Sequence, residues 1–236
     1  MKRVLLIDNQ LDPITEPSRR GCPEFRRYFN DAQITVRRSY QEDLPKDISS
    51  FSHIVLSGSR ASCSTTDTWL DPVFAVIDEA VQKNRPLLGV CFGHQIINRY
   101  LGGHDSVSRS PTPEFGWVKI SGSTGHPLFK AAPKVFYSYQ SHNEEVKRLA
   151  PSLINTHSSD RCMYQAFYDR SRPIFGVQFH PERNFQEGER ALQRTIAVLK
   201  EKNPGRIRDA VFLTNVGEKV YDESIATELF KNFLKL

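Results

Sequence analysis

The sequence predicts an α/β fold in which a mostly parallel central sheet is flanked by helices and extended by an antiparallel hairpin region. Three observations predict it. Apolar runs alternate with amphipathic segments as far as Gly103, and proline and glycine residues mark the ends of those segments. Strand-like segments then follow with little helix between them. We expect a single domain over residues 1–236, with a motif-bearing core over about 4–200 and a helical extension over about 205–236. A chain of 236 residues is long enough to bury one sizeable core.

The first four predicted elements are three strands and one helix. The apolar run RVLLID (3–8) predicts a buried strand. The segment PEFRRYFNDA (23–32) has aromatic residues at helical spacing and predicts a helix, whereas ITVRRSY (34–40) alternates as a strand does. The run SHIVLSGS (52–59) predicts another buried strand, which ends in small residues.

The next three elements complete the alternating pattern. WLDPVFAVIDEAVQKN (69–84) predicts a helix, because Pro72 lies in what would be its first turn, where proline is tolerated. PLLGV (86–90) predicts a buried strand, and GHQIINRYLGG (93–103) predicts a helix that two glycines end. Strands and helices at this spacing indicate βαβ units and therefore parallel strand pairs.

The pattern changes after Gly103. Five further strands are predicted in EFGWVKI, KVFYSYQ, SLINTHSS, MYQAFYD and PIFGVQFH. Because little helix separates these segments, we expect them to form antiparallel pairs and hairpins that extend the sheet. Helices return at about 185–202 and 222–235, and NPGRIRDA (203–210) is the best candidate for a linker.

The composition and charge limit the classes of function. The net charge is +5, and the arginine doublets at 19–20, 26–27 and 37–38 fit either solvated faces or a docking face for an acidic partner. No apolar run has the length of a membrane helix and no signal-peptide core is present, so we expect a cytoplasmic protein without a membrane segment. Basic and aromatic residues do not interleave as in a nucleic-acid module, so nucleic-acid binding is not favoured.

One of the four cysteines lies at a position suited to catalysis. Cys22, Cys63 and Cys162 are predicted to be small buried residues, since no Cys-x-x-Cys pair indicates a zinc or redox site. In LLGVCFGHQ (87–95), Cys91 stands between a strand and a helix with a glycine two residues away on either side. This arrangement describes a nucleophile elbow, where we expect the side chain to stand exposed on the turn. The helix N-terminus there favours the thiolate, and its N–H groups can bind an oxyanion.

A second segment, GVQFHPE (176–182), supplies a base for that cysteine. His180 follows an apolar strand and Glu182 lies two residues beyond it. In extended sequence these two side chains point the same way, so the carboxylate could orient the imidazole. Both motifs follow strands, and open parallel sheets place their active sites at the carboxyl ends of strands.

The two motifs together resemble those of the class I, triad-type glutamine amidotransferases. The resemblance spans roughly residues 4–200. IVLSGSR (54–60) is similar to the family's oxyanion loop, LGGHDSVSRSPTPEFGW to the hairpin after the elbow, and YSYQSHNEEV to the Ser-His segment. The most similar members look like stand-alone proteins that resemble the amidotransferase domain of GMP synthase, and the γ-glutamyl peptidases built on that domain.

The resemblance implies a catalytic triad. Cys91 would be the nucleophile, His180 the general base and acid, and Glu182 the partner that orients His180. The reaction would be hydrolysis of the glutamine side-chain amide through a cysteine thioester, with glutamate and ammonia as products. Neither a metal nor an organic cofactor is implied.

The resemblance also implies the residues that bind substrate. The backbone N–H of Phe92 and one from the Gly58–Ser59 loop would bind the oxyanion. Gln95 would contact the bound glutamine, and Ser141 and His142 would offer backbone contacts to its α-amino and α-carboxylate groups.

The chain departs from the GMP synthase pattern at one loop. That type has Ser-Gly-Gly-Pro where this chain has Ser57-Gly58-Ser59-Arg60. The loop of this chain is closer to the peptidase-like branch. Three hypotheses therefore stay open: an amidotransferase that passes ammonia to a partner synthetase subunit, a free-standing γ-glutamyl peptidase, and a non-catalytic regulatory protein. The sequence contains neither a pyrophosphatase loop nor a P-loop, so we expect that it cannot carry out a synthetase reaction alone.

Overall fold

The central feature of the fold is a ten-stranded mixed sheet. The computed structural model describes residues 1–11, 22–41, 43–123, 125–202, 211–213 and 220–236. The strands are β1 (Lys2–Asp8), β2 (Ala32–Arg38), β3 (His53–Leu56), β4 (Leu87–Val90), β5 (Val107–Gly122), β6 (Val135–Val146), β7 (Leu153–Ser158), β8 (Ala166–Asp169), β9 (Ile174–Val177) and β10 (Val211–Leu213). Their order is β10-β5-β7-β8-β9-β4-β3-β1-β2, and β6 pairs with β5 outside this path.

Helices cover both faces of this sheet. They are α1 (Pro23–Arg26), α2 (Asp71–Gln82), α3 (Phe92–Gly102), α4 (Phe185–Lys202) and α5 (Glu223–Leu234). As predicted, α2 has proline in its first turn, and α3 ends at the glycine pair, where Gly103 has a φ of 91°. Within the described residues, none of the helices combines the length and apolar character needed to cross a bilayer.

The parallel half of the sheet is buried on both faces. Strands β2, β1, β3, β4 and β9 are successive parallel neighbours. In β1, Val4 and Leu6 pack into a core shared with α5, while Leu5 and Ile7 pack into a second core formed with α2 and α3. This double burial explains the uninterrupted apolar run in the sequence. The predicted α/β class is confirmed.

The other half of the sheet is largely antiparallel. Strands β9, β8, β7, β5 and β6 pair antiparallel, and a register shift interrupts β5 between Arg109 and Glu114. A small third core joins β5 and β6 to α4 through Trp117, Tyr139 and Leu192. This half places β6 beside the carboxyl ends of the parallel strands, where the site residues lie.

The helix predicted over 23–32 is wrong for most of its length. The α-helix ends at Arg26, and Ala32 already pairs with Lys2 as the start of β2. The aromatic spacing reflects burial rather than a continuous helix, because Phe29 packs against Phe230 of α5 with ring centroids 5.3 Å apart.

The C-terminal part of the chain adds one strand to the sheet and one helix that packs against it. Strand β10, which the sequence analysis did not predict, pairs parallel with β5. Helix α5 buries Leu229, Phe230 and Phe233 in the core beside β1. The predicted linker at 203–210 lies outside the described residues, and the division into core and extension stays a prediction.

Candidate active site

Cys91 lies at a sharp turn between β4 and α3. Its φ of 52° and ψ of −102° are strained for a residue with a side chain, as expected of a nucleophile elbow. The flanking glycines allow this turn: a Cβ on Gly89 would lie 2.3 Å from the backbone of Gly93, and one on Gly93 would lie 2.3 Å from the carbonyl oxygen of Leu56. Glycine is therefore required at both ends of the Gly-Val-Cys-Phe-Gly pattern, because the backbones of β3, β4 and α3 touch there.

The Cys91 side chain is more enclosed than the elbow pattern suggests. We expected an exposed thiol, but only 3% of the residue is accessible, so this expectation is wrong. The reason is that other segments converge on it: its Sγ lies 3.8 Å from the carbonyl oxygen of Ser141, and its Cβ lies beside Gly58. A partly enclosed thiol at a helix N-terminus is protected from water and still borders a cavity.

His180 and Glu182 form a buried pair beyond the end of β9. The backbone N–H of His180 donates to the carbonyl oxygen of Tyr139 at 2.8 Å, which anchors the turn to β6. Its Nδ1 lies 2.7 Å from Oε1 of Glu182, as the sequence spacing predicted. Among the described residues, His180 Nε2 has no hydrogen-bond partner, so this nitrogen is available to exchange a proton with Cys91 or a substrate.

The charges around His180 favour its protonated form. Burial lowers the pKa of His180, but the Glu182 carboxylate and the adjacent Cys91 outweigh burial and raise this pKa to about 9. For Glu182, burial raises the pKa, but the His180 imidazolium lowers the pKa by more than burial raises it. The net pKa of Glu182 is therefore below its ordinary value. The pair is therefore suited to stabilise a thiolate and to hold a proton for a leaving group.

The loop after β3 lies directly over these residues. A Cβ on Gly58 would lie 2.8 Å from Cε1 of His180 and 3.4 Å from Cβ of Cys91, so only glycine fits without a shift. The Gly58 carbonyl accepts hydrogen bonds from Gln10 Nε2 at 2.8 Å and from the Ser57 hydroxyl at 3.0 Å. Because the peptide is planar, these bonds fix the orientation of the following Ser59 N–H, one of the proposed oxyanion donors. Phe92, the other donor, is the first residue of α3, whose N–H has no intrahelical acceptor.

Two cavities meet at this centre. One, of about 570 Å³, borders Cys91 and includes four predicted substrate-binding residues, Ser59, Gln95, Ser141 and His142. The other, of about 380 Å³, borders His180 and Glu182. The two cavities share five lining residues, Ser59, Arg60, Ser141, Arg194 and Thr195.

The chain matches a family model, described as class-I glutamine amidotransferase, over residues 25–198. The chain belongs to the class-I glutamine amidotransferase family. Its relatives include a subunit of the glutamine-hydrolysing GMP synthase of Thermoplasma volcanium, 30% identical over 68% of this chain and 80% of that protein. The corresponding subunit of Methanocaldococcus jannaschii is 38% identical over 45% of this chain.

The coverage of these amidotransferase relatives varies. The chain spans little more than half the length of the M. jannaschii protein, 55%, and 65% of the related subunit from Thermococcus kodakarensis. Among solved structures, a glutamine amidotransferase from Methylobacillus flagellatus superposes with a TM-score of 0.79, covering 100% of this chain and 95% of that one. At 20% identity this likeness shows the amidotransferase fold alone.

Two of the predicted substrate-binding side chains support the cavity of the amidotransferase site rather than point freely into it. Gln95 is 3% exposed, and its Nε2 donates to the carbonyl oxygen of Glu144 at 2.7 Å and to Oε1 of Gln178 at 3.0 Å. The His142 imidazole is buried between Glu114 and the Glu144 carbonyl, so its side chain is occupied by these contacts, and its role in substrate binding stays a prediction.

Three residues of this support were not predicted from the sequence: Glu114, Glu144 and Gln178. Each lies inside a segment that carries a motif, but its contacts join strands that are distant in sequence. The Glu144 carboxylate accepts from the backbone N–H of Cys63 at 2.6 Å and from the Ser62 hydroxyl, which ties the loop after β3 to β6.

One group of metal-ligand types lies near the cavity. Ligand atoms of Glu114, His142 and Cys162 all lie within 4.8 Å of one another. His142 and Glu114, however, use their atoms on each other, with Nε2 and Oε2 only 2.9 Å apart. This geometry is that of a hydrogen-bonded pair, and it leaves no space for a cation between the two.

The other three cysteines are buried, as predicted. Cys22, Cys63 and Cys162 are buried free thiols, and burial raises the pKa of each. They therefore remain protonated at neutral pH and react slowly with electrophiles.

Proposed function

We propose that this protein hydrolyses the side-chain amide of glutamine through a Cys91 thioester and delivers the ammonia to a synthetase subunit. The observation that carries the proposal is the buried His180–Glu182 pair, which lies beside a cysteine held at a nucleophile elbow and bordering a cavity. The family membership supports it, since the matched relatives are described as glutamine-hydrolysing.

The first half of the reaction forms the thioester. His180 Nε2 takes the proton of Cys91, and the thiolate attacks the amide carbon. Negative charge then develops on the amide oxygen, where the N–H groups of Phe92 and Ser59 can bind it. The tetrahedral intermediate collapses as His180 gives its proton to the nitrogen, so that ammonia leaves and the γ-glutamyl thioester remains.

The second half returns the enzyme to its starting state. A water molecule gives a proton to His180 and attacks the thioester carbon, again with the oxyanion held at the same N–H groups. Collapse of this intermediate breaks the carbon–sulfur bond. The proton on His180 returns to Cys91, and glutamate is released.

The partner in this proposal is a synthetase that consumes ammonia. The GMP synthase relatives are named as single subunits of that enzyme, which implies a further subunit in those proteins. By analogy, we expect hydrolysis of glutamine by the isolated chain to be slow and to rise when the matching synthetase subunit is added. An unchanged rate with every candidate synthetase would contradict the partner part of the proposal.

A glutamine-like diazoketone tests the site directly, and we expect it to label Cys91 alone. The reagent would occupy the cavity in place of glutamine, and Cys91 is the one described cysteine that lines this cavity. Peptide mass mapping of the treated protein measures the labelling, with excess glutamine expected to protect. As a matched control, Cys63→Ala should label normally. Labelling spread over several cysteines, or no effect of glutamine, would argue for a non-catalytic protein.

One observation favours a second candidate function, that of a γ-glutamyl peptidase. The cavity beside His180 has a volume of about 380 Å³, far more than a departing ammonia molecule needs. Because His180 protonates the leaving nitrogen, a substituent on that nitrogen would extend into this cavity. Arg60 lines the cavity and is exposed, so its guanidinium could bind the carboxylate of a leaving amino acid.

Arg60→Ala distinguishes the two candidates. If the chain is a peptidase, we expect KM to rise roughly tenfold for γ-glutamyl amino acids with a free carboxylate, since one charge-assisted hydrogen bond is lost. The KM for glutamine should not change. Steady-state kinetics with both substrates measures this, with Arg37→Ala as a control that removes an exposed arginine of β2, outside both cavities. Equal KM values for Arg60→Ala and the wild type would remove Arg60 from substrate binding.

A further inference from the structure

A buried polar network lies behind the wall of the cavity that borders Cys91. Glu114 of β5 and His142 of β6 are direct cross-strand partners. The His142 Nε2 lies 2.9 Å from Oε2 of Glu114, and each side chain is only 1% exposed. Burial of two ionisable groups costs free energy of folding unless each forms a hydrogen bond or an ion pair with the other. The arrangement of this pair therefore calls for an explanation.

The surroundings of Glu114 favour its ionised form. Oε2 also accepts a hydrogen bond from Gln165 Nε2 at 2.7 Å, and Oε1 accepts one from the Ser159 hydroxyl at 2.6 Å. Two donors thus point at this carboxyl group from residues other than His142. Donors of this number stabilise a carboxylate rather than a carboxylic acid.

The surroundings of His142 require protons on both ring nitrogens. Nδ1 lies 3.0 Å from the carbonyl oxygen of Glu144, which can only accept, so Nδ1 must donate. Nε2 faces the Glu114 carboxylate, so it must donate too. The ring is therefore an imidazolium that joins Glu114 on one side to the backbone of Glu144 on the other.

The Glu144 carbonyl connects this pair to the substrate cavity. The same oxygen accepts the hydrogen bond from Gln95 Nε2, one helical turn after Cys91. The four residues Ser141, His142, Asn143 and Glu144 form one side of the cavity. Besides the pairing of β6 with β5, the hydrogen bond that His142 donates to Glu144 thus helps to fix the position of that wall.

We propose that Glu114 is a positioning residue for substrate binding, whose carboxylate keeps His142 doubly protonated and thereby fixes the Ser141–Glu144 wall. This inference rests on the proposed function, because it takes that wall to bind the γ-glutamyl group. Glu114 does not touch the substrate; it acts through His142.

Counting hydrogens gives the effect of Glu114→Gln. The amide has nearly the same shape as the carboxylate, but it carries no charge to pair with an imidazolium. Gln165 Nε2 donates at 2.7 Å to the oxygen that faces His142, so the new amide must place its oxygen, and not its NH2 group, on that side. The neutral ring has one proton, so it can donate to this oxygen or to the Glu144 carbonyl but not to both. A ring that donates to residue 114 leaves the wall without a buried hydrogen bond, and the loss of such a bond lowers affinity by roughly tenfold.

Steady-state kinetics of Glu114→Gln is the first test, and we expect KM for glutamine to rise roughly tenfold with little change in kcat. The matched control is Asp169→Asn, the same change at a buried carboxylate that accepts from Arg172 at 2.6 Å. Asp169 is the last residue of β8, and Ala166 is the first. Ala166 pairs with Val177, the last residue of β9, so it is the other end of β8 that lies toward the His180 turn. We expect the control to lower thermal stability and leave KM unchanged.

The second test does not depend on activity. In nitrogen NMR of the isotope-labelled wild-type protein at neutral pH, the His142 ring should show a proton on both nitrogens; comparison with His142→Gln identifies its signals. In folded Glu114→Gln, the same ring should show one proton. A neutral His142 in the wild type, or an unchanged KM in folded Glu114→Gln, would overturn the inference. A wild-type chain that hydrolyses no γ-glutamyl amide but has the doubly protonated ring would overturn the proposed function instead.

Discussion

Cys91→Ala is expected to reduce hydrolysis of glutamine by roughly a millionfold, by comparison with other nucleophile deletions. No other described cysteine borders the same cavity or has a histidine with a free Nε2 beside it. Without the thiol no thioester can form, and the oxyanion donors alone give little rate. Glutamate release, measured with the wild type and the variant at equal concentration, checks the expectation.

The fold should survive this change. Alanine meets the same backbone strain as cysteine at a φ of 52°, and the lost sulfur leaves a space that opens to the cavity rather than a closed void. We expect the far-UV spectrum to be unchanged and the thermal transition to move by a few degrees at most. Cys63→Ala, at a fully buried cysteine, is the matched control and should lose stability but keep its activity. Measurable turnover by Cys91→Ala would refute the thioester mechanism.

The elements around this cysteine could be predicted because their signals are local. The strand β4, the turn and the helix α3 follow one another within sixteen residues of sequence, from Leu87 to Gly102. The glycines at 89 and 93 indicate a close backbone approach from the local pattern alone. The His180–Glu182 contact is local as well, since only one residue separates the two.

Contacts between strands could not be predicted in the same way. Glu114 and His142 meet because β5 and β6 pair with a particular register, which a shift after Arg109 sets. No local pattern specifies that shift. The enclosed position of Cys91 has a similar origin, because Gly58 and Ser141 come from distant segments and cover it only after the sheet has formed.

The helix predicted over 23–32 was wrong for a related reason. Aromatic residues at helical spacing identify positions that are buried together, but they do not say whether the chain between them stays helical. Here Phe25 and Phe29 both contact Phe230 of α5, and pairing of β2 with β1 ends the helix after one turn. Tertiary packing thus replaced the local preference.

His180→Ala is expected to lower kcat/KM for glutamine by roughly 10⁴–10⁶-fold, because the thiol loses its base and the leaving nitrogen loses its acid. Glu182→Gln should cost less, roughly 10²–10⁴-fold, since the amide can still accept from the imidazole N–H and keep part of its orientation. Both variants should still bind glutamine, because neither residue lines the cavity of Gln95 and His142. Equal and mild losses in the two would show that the pair is not catalytic.

The pH profile of Glu182→Gln tests the role of the carboxylate more sharply. In the wild type the pKa of His180 is about 9, so the imidazolium that protonates the leaving nitrogen is lost as the pH rises through that value. We therefore expect kcat/KM to fall on the alkaline side near pH 9. Removing the Glu182 charge takes away the strongest influence that raises this pKa, while burial continues to lower it. The alkaline fall should then move to lower pH in Glu182→Gln. The control is Glu189→Gln, because the Glu189 carboxylate accepts from the Trp117 ring instead of from His180, and this variant should keep the wild-type profile. An alkaline limb at the same pH in all three proteins would mean that Glu182 does not control the protonation of His180.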